Sequence, residues 1–398
     1  MKAKMYIPPL TGIRAIAAFM VFFHHFNQLD YPKPIFRVLN EFHTGVTVFF
    51  VLSGFLIALR YYENSSIEIN WYKKYIKNRI ARIYPMYFLI TVGTFIYAFF
   101  YNDSNVYNGF PYHWLLILMN IFFVRGFFDD LKFTGLSQGW TLTVEECFYF
   151  LAPLFFIQIQ KNKKNIWRLP LLLLSVGILL VLVFSHISFF GFYENFTFMF
   201  LYTFTGRCIE FFIGIWVATL CLQTTSQQKF TKPIFTLLGA VIAITGIIIM
   251  ANLPLSKEHP FGLYHPVGIF SNNIILPIGV AMLFYGLINE ASWFKNFLST
   301  PIMQLLGKSS YIFYLVHIGF ISHTASVWAD GWVNRLYDWL DAKEYNWIIN
   351  NINSNVITTG IVFIILNIVS ITLYKLIEHP VNEWIRKSSF LESRKQLQ

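Results

Sequence analysis

The stretch that decides the fold is Leu10–Asn27, LTGIRAIAAFMVFFHHFN. It is apolar over the length of a helical span, with Arg14 near its start and the His24–His25 pair near its end. In a helix, the eleven positions from 14 to 25 leave Arg14 and His25 roughly 20° apart in azimuth and about 16 Å apart in height. One face then carries a guanidinium at one end and an imidazole at the other. Gly12, Ala15, Ala17 and Ala18 lie between them and admit a neighbouring helix, or a thin ligand, close to the backbone. Such polar residues are expensive inside a membrane and usually face a cavity or pathway. A plainer account also fits: Arg14 snorkels to the membrane edge, and His25 sits at the interface with a partner in a loop.

The remaining sequence extends the apolar pattern. The 398 residues are 56% hydrophobic and 13% charged, with 44 Phe. Soluble proteins carry close to twice that charged fraction. Several runs are long enough to cross a bilayer. The expected fold is all-α, a polytopic bundle of about ten transmembrane helices held among membrane lipids. A net charge of +10 does not signal nucleic acid, because the basic residues sit in a few short loops, as the positive-inside bias requires. Cys147, Cys208 and Cys221 are odd in number and lack metal-ligand spacing, so neither a disulfide framework nor a metal site is expected. AIAAF, residues 15–19, looks like a signal-peptide cleavage region, but the many spans that follow favour an uncleaved first span.

Charge sets the expected topology. Lys2 and Lys4 place the N-terminus in the cytoplasm, and Asp30, Lys33, Arg37 and Glu41 make a mixed outer loop. A second span covers about His43–Tyr62. Trp71–Arg82 is the densest basic loop and therefore cytoplasmic. A third span follows at Ile83–Tyr101. Tyr112–Val124 is apolar but short, which suits a re-entrant or interfacial helix. With that segment not crossing, Gly139–Gln160 runs inward and delivers Lys161, Lys163, Lys164 and Arg168 to the cytoplasm. Spans at Leu169–His186, Leu201–Gln223, Pro233–Ala251, Ile269–Ile288, Gln304–His323 and Val356–Ile377 complete the set. Both termini are then cytoplasmic. The tail from about 381, with Arg386, Lys387, Arg394 and Lys395, is basic, as this requires. Residues 1–398 read as one integral domain.

At this point the sequence resembles a known family. Arg14 and His25 match the arginine–histidine pair of the acyltransferase-3 family. GVTVFFVLSGFLI (Gly45–Ile57) looks like its second-span signature, and RIARIYPMY (Arg79–Tyr87) resembles its basic motif entering the third span. WTLTVEECFYFLAP (Trp140–Pro153), GKSSYIFYLVH (Gly307–His317) and IEHPVNEW near the end also fit, in the family's order. The resemblance implies an integral enzyme of a bacterial cell membrane. It would move an acyl group, most simply acetyl, from cytoplasmic acetyl-CoA or another acyl-CoA to a hydroxyl acceptor, often on a surface saccharide. Some members carry an additional extracytoplasmic esterase-like domain, and this chain is expected to lack it.

The residues support that chemistry independently. Arg14, Arg79 and Arg82 lie at the inner boundary, and arginine forks suit the phosphates of coenzyme A. Tyr84, within the same motif, joins them as a donor-binding residue. Positive-inside charge alone also accounts for Arg79 and Arg82. His25, at the outer end of its span, is the candidate general base. Glu145, counted from the start of an inward-running span, falls at similar depth and is its candidate orienting partner. Glu146 turns away by about 100°, and His24 reads as a packing neighbour. Arg14 joins His25 and Glu145 in the expected catalytic set. Trp140, Tyr314 and His317 are candidate acceptor-binding residues. Trp140 equally suits an interfacial anchor, and Tyr311, Tyr314 and His317, stepping by threes, equally suit core packing. Ser53–Gly54 reads as close helix packing, Arg207 and Glu210 as a mutual pair, and Pro380 after Glu378 as a helix stop. The competing class is a proton-coupled transporter using His25, Glu145 and Arg14 as a polar pathway. Matching inverted halves would mark one, and none is visible. A non-catalytic membrane subunit is the third option.

Overall fold

The computed structural model describes residues 6–27, 33–223, 231–255, 261–345, 347, 353–388 and 390–391. Lys2, Lys4, Asp30, Arg394 and Lys395, on which part of the expected sidedness rests, lie outside the described residues. Within them the protein is helical, and the only β pairing is a single bridge between Phe128 and Phe192. Among the described residues eight helices are long and apolar enough to cross a membrane, or nine when one sharply bent pair counts as a span. The protein is therefore a polytopic helical membrane bundle.

Helix α1, Pro8–His25, stands outside that count because Arg14 and its histidines dilute its hydropathy. Its 18 residues rise about 27 Å, close to the thickness of a hydrocarbon core. With α1 included, each of the ten expected spans falls on one helix or on two helices parted by a break. Ala15, Ala17 and Ala18 are almost wholly buried, and the small residues of α1 admit helices rather than a ligand. A β-carbon at Gly307 would lie 1.9 Å from the Thr11 carbonyl oxygen, so α14 (Pro301–Val316) meets α1 backbone to backbone. Helices α3 (Gly45–Tyr61) and α9 (Phe204–Gln223) interlock in the same way. β-Carbons at Gly54 and Gly214 would each stand 2.1 Å from a carbonyl oxygen of the partner helix, on Phe211 and Val51. This is the close approach that small residues permit in membranes.

Several expectations are corrected. The basic stretch Trp71–Arg82 is not a loop; it is the first part of α4, Ile69–Tyr101. Lysine, arginine and tyrosine carry no helix-breaking chemistry, and 33 residues rise about 50 Å, so the basic turns project beyond an apolar core of about 30 Å. The expected span Gln304–His323 stops at Val316. A turn at His317–Gly319 follows, and α15, Phe320–Ala342, leaves at 92° to α14. The long α15 was not expected at all. Pro380 does not stop the last span. Ser354–Leu373 passes through a π-helical turn, Tyr374–Glu378, into α17, His379–Lys387, with Pro380 directly after that turn. Leu201–Gln223 is two helices, α8 (Phe196–Tyr202) and α9, separated at Thr203. The short α5, His113–Ile121, is too short to cross, in line with the re-entrant expectation.

The ends of the bundle are also fixed. Gln304 Nε2 donates to the Pro8 carbonyl at 2.8 Å, and Arg82 pairs with Glu378. The starts of α1 and α14, the middle of α4 and the end of the last span therefore share one end. His25 lies toward the other.

Candidate active site

Three cavities lie in series along the Arg14–His25 direction. The first, about 310 Å³, sits at the end shared by Tyr6, Lys308, Glu378 and Arg386. Arg14 and Arg82 form part of its wall and also part of the second cavity, about 130 Å³, which adds Arg79, Ser53, Glu145 and Tyr149. Val46 and Tyr314 line both this narrow cavity and the third, about 490 Å³, which holds His24, His25, His43 and Trp140. A larger groove of about 860 Å³ between Trp167 and Tyr285 has no acidic, basic or imidazole side chain in its wall.

The first end carries surplus positive charge. Arg82 is paired with Glu378, and its guanidinium lies 5.9 Å from the Tyr311 ring. Arg14, Arg60, Arg79 and Arg386 form no ion pair with a carboxylate of the described residues. Arg79 instead lies over the rings of Tyr61 and Tyr149, at 5.6 and 5.9 Å. The Nε atoms of Arg79 and Arg386 are buried with no acceptor. A guanidinium nitrogen withdrawn from water without a partner is costly, so Arg79 and Arg386 suit an anion. Arg60 and Arg386 had not been expected here. Arg386 arrives on α17, whose persistence beyond Pro380 could not be read from sequence. Tyr84 is not brought to these cavities; its ring stacks on Phe88 with centroids 6.0 Å apart.

Glu145 does not meet His25. Ser53 Oγ donates to Glu145 Oε1 at 2.7 Å, and Tyr149 donates to Oε2 at 3.0 Å. The carboxylate thus belongs to the narrow cavity with Arg14 and Arg79. The expectation of equal depth fails because α6, Trp140–Lys161, begins inside the protein rather than at its surface. The segment before it folds over the bundle. Arg125, fully buried, donates Nη1 to the Lys132 carbonyl at 2.9 Å and also reaches the carbonyls of Thr134 and Leu136. Trp140 and Gln138 therefore sit at the level of His25, in the wall of the third cavity. Glu145 lies five residues further along, about 7 Å deeper.

The third cavity is built around imidazoles. His25 lies in its wall and is accessible. Its ring is 4.6 Å from that of His24 and 5.3 Å from that of His317. His24 Nδ1 donates to the Asn40 carbonyl at 2.7 Å, and Asn27 Nδ2 donates to Asn40 Oδ1 at 2.7 Å, so α2 (Lys33–Asn40) fixes the end of α1. The carboxylate–imidazole pair here is His43 with Glu41, at 3.0 Å. Glu41 is buried and also accepts the Gly262 N–H at 2.7 Å. Neither residue was singled out from sequence, because Glu41 reads as an ordinary loop acid. Tyr314 stands between the second and third cavities, its hydroxyl 3.0 Å from Thr141 Oγ1. Trp140 and Tyr202 meet edge to face at 4.8 Å and give the third cavity aromatic walls. Arg207 pairs with Glu210 at 2.8 Å, as expected, while also lining this cavity. The helix breaks at Thr203 and at His317–Gly319 adjoin it too, where irregular backbone at membrane depth is tolerated. Among the described residues no group of three or more histidine, cysteine or acidic side chains could hold a metal ion.

These features define a class: a helical membrane protein with an anion-suited end, an imidazole cavity and a narrow cavity between. The chain belongs to the acyltransferase domain family, which it matches over residues 8–375. It is 25% identical over 343 residues to the peptidoglycan O-acetyltransferase OatA of Listeria monocytogenes, covering 82% of this chain and 51% of that protein. It is 25% identical over 352 residues to the O-acetyltransferase OatA of Staphylococcus aureus, covering 83% and 53%. The chain thus spans about half the length of the curated relatives it matches. No solved structure matches it.

Proposed function

We propose that residues 1–398 act as one membrane domain that transfers an acetyl group from acetyl-CoA to a saccharide hydroxyl, in a bacterial inner membrane. The observation that carries this reading is the pairing on α1. Unpaired guanidinium donors lie at one end, an accessible imidazole lies at the other, and consecutive cavities with common walls join them. The guanidinium end is taken as cytoplasmic from the distribution of basic residues.

Arg14, Arg79 and Arg82 hold the donor's phosphates by forked, charge-assisted hydrogen bonds. The second cavity is too narrow for a nucleotide and suits a thin pantetheine arm directed toward Tyr314. His25 takes the proton of the acceptor hydroxyl. The oxygen forms a bond to the thioester carbonyl carbon, the carbon–sulfur bond breaks, and the thiolate leaves with the proton returned by His25. Trp140 and Tyr202 offer ring faces to a sugar. The acetyl-peptidoglycan chemistry named for the Listeria relative supports a saccharide acceptor without defining which one.

The test is label transfer from radiolabelled acetyl-CoA to chito-oligosaccharide or muropeptide acceptors by the purified full chain. Acceptor-dependent labelling supports the reading. Uptake of unmodified solute into proteoliposomes, with the thioester intact, would instead favour a transporter.

A further inference from the structure

The base assigned above needs an orienting partner, and Glu145 is not it. In a neutral imidazole one nitrogen donates and the other accepts. His317 is almost wholly buried in the turn that follows α14, and its Nδ1 lies 2.7 Å from the Tyr314 carbonyl. A carbonyl can only accept, so Nδ1 carries the proton and Nε2 presents a lone pair. That Nε2 is buried without any hydrogen-bond partner. An orphaned acceptor of this kind is costly, and the imidazole beside it is His25.

Distances separate the possible partners. Two imidazoles joined by an in-line N–H···N bond have ring centroids about 5 Å apart, given a heavy-atom separation of about 3 Å. His25 and His317 stand at 5.3 Å with a 44° tilt. His24 and His25 stand at 4.6 Å and 70° in an edge-on-face contact, and His24 Nδ1 is engaged by the Asn40 carbonyl. His43 is committed to Glu41, and Arg207 to Glu210 and Thr47. A half-turn of the His25 ring about Cβ–Cγ exchanges its nitrogens with its ring carbons within the same volume.

We propose that His317 is the positioning residue for His25. Nε2 of His317 accepts the N–H of His25, which fixes the tautomer and turns the other nitrogen of His25 toward the acceptor hydroxyl. The proton removed from that hydroxyl rests on His25 until it is returned to the leaving thiolate, and His317 only accepts the hydrogen bond. The tether runs through the Tyr314 carbonyl, so the residue between the donor passage and the acceptor cavity also sets the orientation of the base. This role rests on His25 being the base.

The test compares His317→Gln, which retains an acceptor oxygen, with His317→Met, which is close in length and has no strong acceptor. Labelled acetyl-CoA and chitotetraose are the probes, and full-length protein is used throughout. The Met variant should lose about 100-fold in kcat with both KM values within about twofold, and the Gln variant should stay within about fivefold of wild type. Equal activities of the two variants, or a Met variant near wild type, would overturn the proposal. An active His25→Ala variant would instead overturn the assignment of the base itself. Should His317→Met fail to fold, nitrogen-15 histidine spectra of the wild-type chain decide the matter. A scalar coupling between the His25 and His317 rings is expected, and its absence sinks the proposal.

Discussion

Ser53 Oγ and Glu145 Oε1 lie 2.7 Å apart and join α3 to α6 in the wall of the narrow cavity. This bond holds the Glu145 carboxylate beside Arg14 and Arg79 rather than beside the imidazoles. Glu145→Gln should therefore slow transfer, by up to about tenfold, yet leave the acid limb of the pH–rate profile within about 0.3 units of wild type. The measurement is kcat/KM for the acceptor against pH. A displacement of that limb by a full unit would return Glu145 to the base.

Arg386 brings an unpaired guanidinium from α17 to a region already holding Arg60 and Arg79. If these donors grip phosphates, Arg386→Ala should raise the KM for acetyl-CoA about fivefold to tenfold and leave kcat almost unchanged. Added salt should weaken donor binding in wild type more than in the variant, because exposed charge is screened. Steady-state kinetics at two ionic strengths reads both effects.

Arg125 satisfies three backbone carbonyls from the segment that carries Gln138 and Trp140 into the third cavity. Arg125→Met strands those acceptors in a buried setting, at a cost of about 3 kcal/mol or more. Thermal unfolding in detergent should show a clear loss of stability together with loss of transfer. Arg125→Lys should recover only part of it, since a single ammonium cannot reproduce the guanidinium fork.

The α3–α9 interlock gives a steric prediction. A valine at position 54 would place its β-carbon 2.1 Å from the Phe211 carbonyl oxygen, so Gly54→Val should yield no monodisperse protein. Gly360 lies in the last span with no heavy atom within 4 Å of its β-carbon position. Gly360→Ala should fold normally or gain up to about 1 kcal/mol from helix propensity. Size-exclusion profiles of the two variants separate a packing requirement from a general aversion to change.

Much of the bundle was legible from hydropathy and charge, because a membrane span must satisfy its backbone internally and so declares itself by length. Arg207 and Glu210 pair as their three-residue spacing suggested, and α5 is as short as it reads. The rest left no mark in hydropathy, because it depends on where helices begin and continue in space and on contacts between distant segments. Glu145 was placed by counting from Gly139, but Gly139 is itself buried beneath the segment anchored by Arg125. Trp71–Arg82 was placed by charge, which locates a segment without saying whether it is helical. Glu41 and His43 went unnoticed because only the folded chain brings Gly262 and α1 against them.

If α1 carries the acetyl group from one face to the other, transfer has a side. In sealed proteoliposomes with the chain in one known orientation, acetyl-CoA is supplied only at the face where α1 and α14 begin, and labelled chito-oligosaccharide only at the opposite face. Wild-type protein should leave O-acetylated saccharide on the far side, and the His25→Ala variant none. Product formed only when donor and acceptor share a face, or formed equally well by the His25→Ala variant, would contradict it.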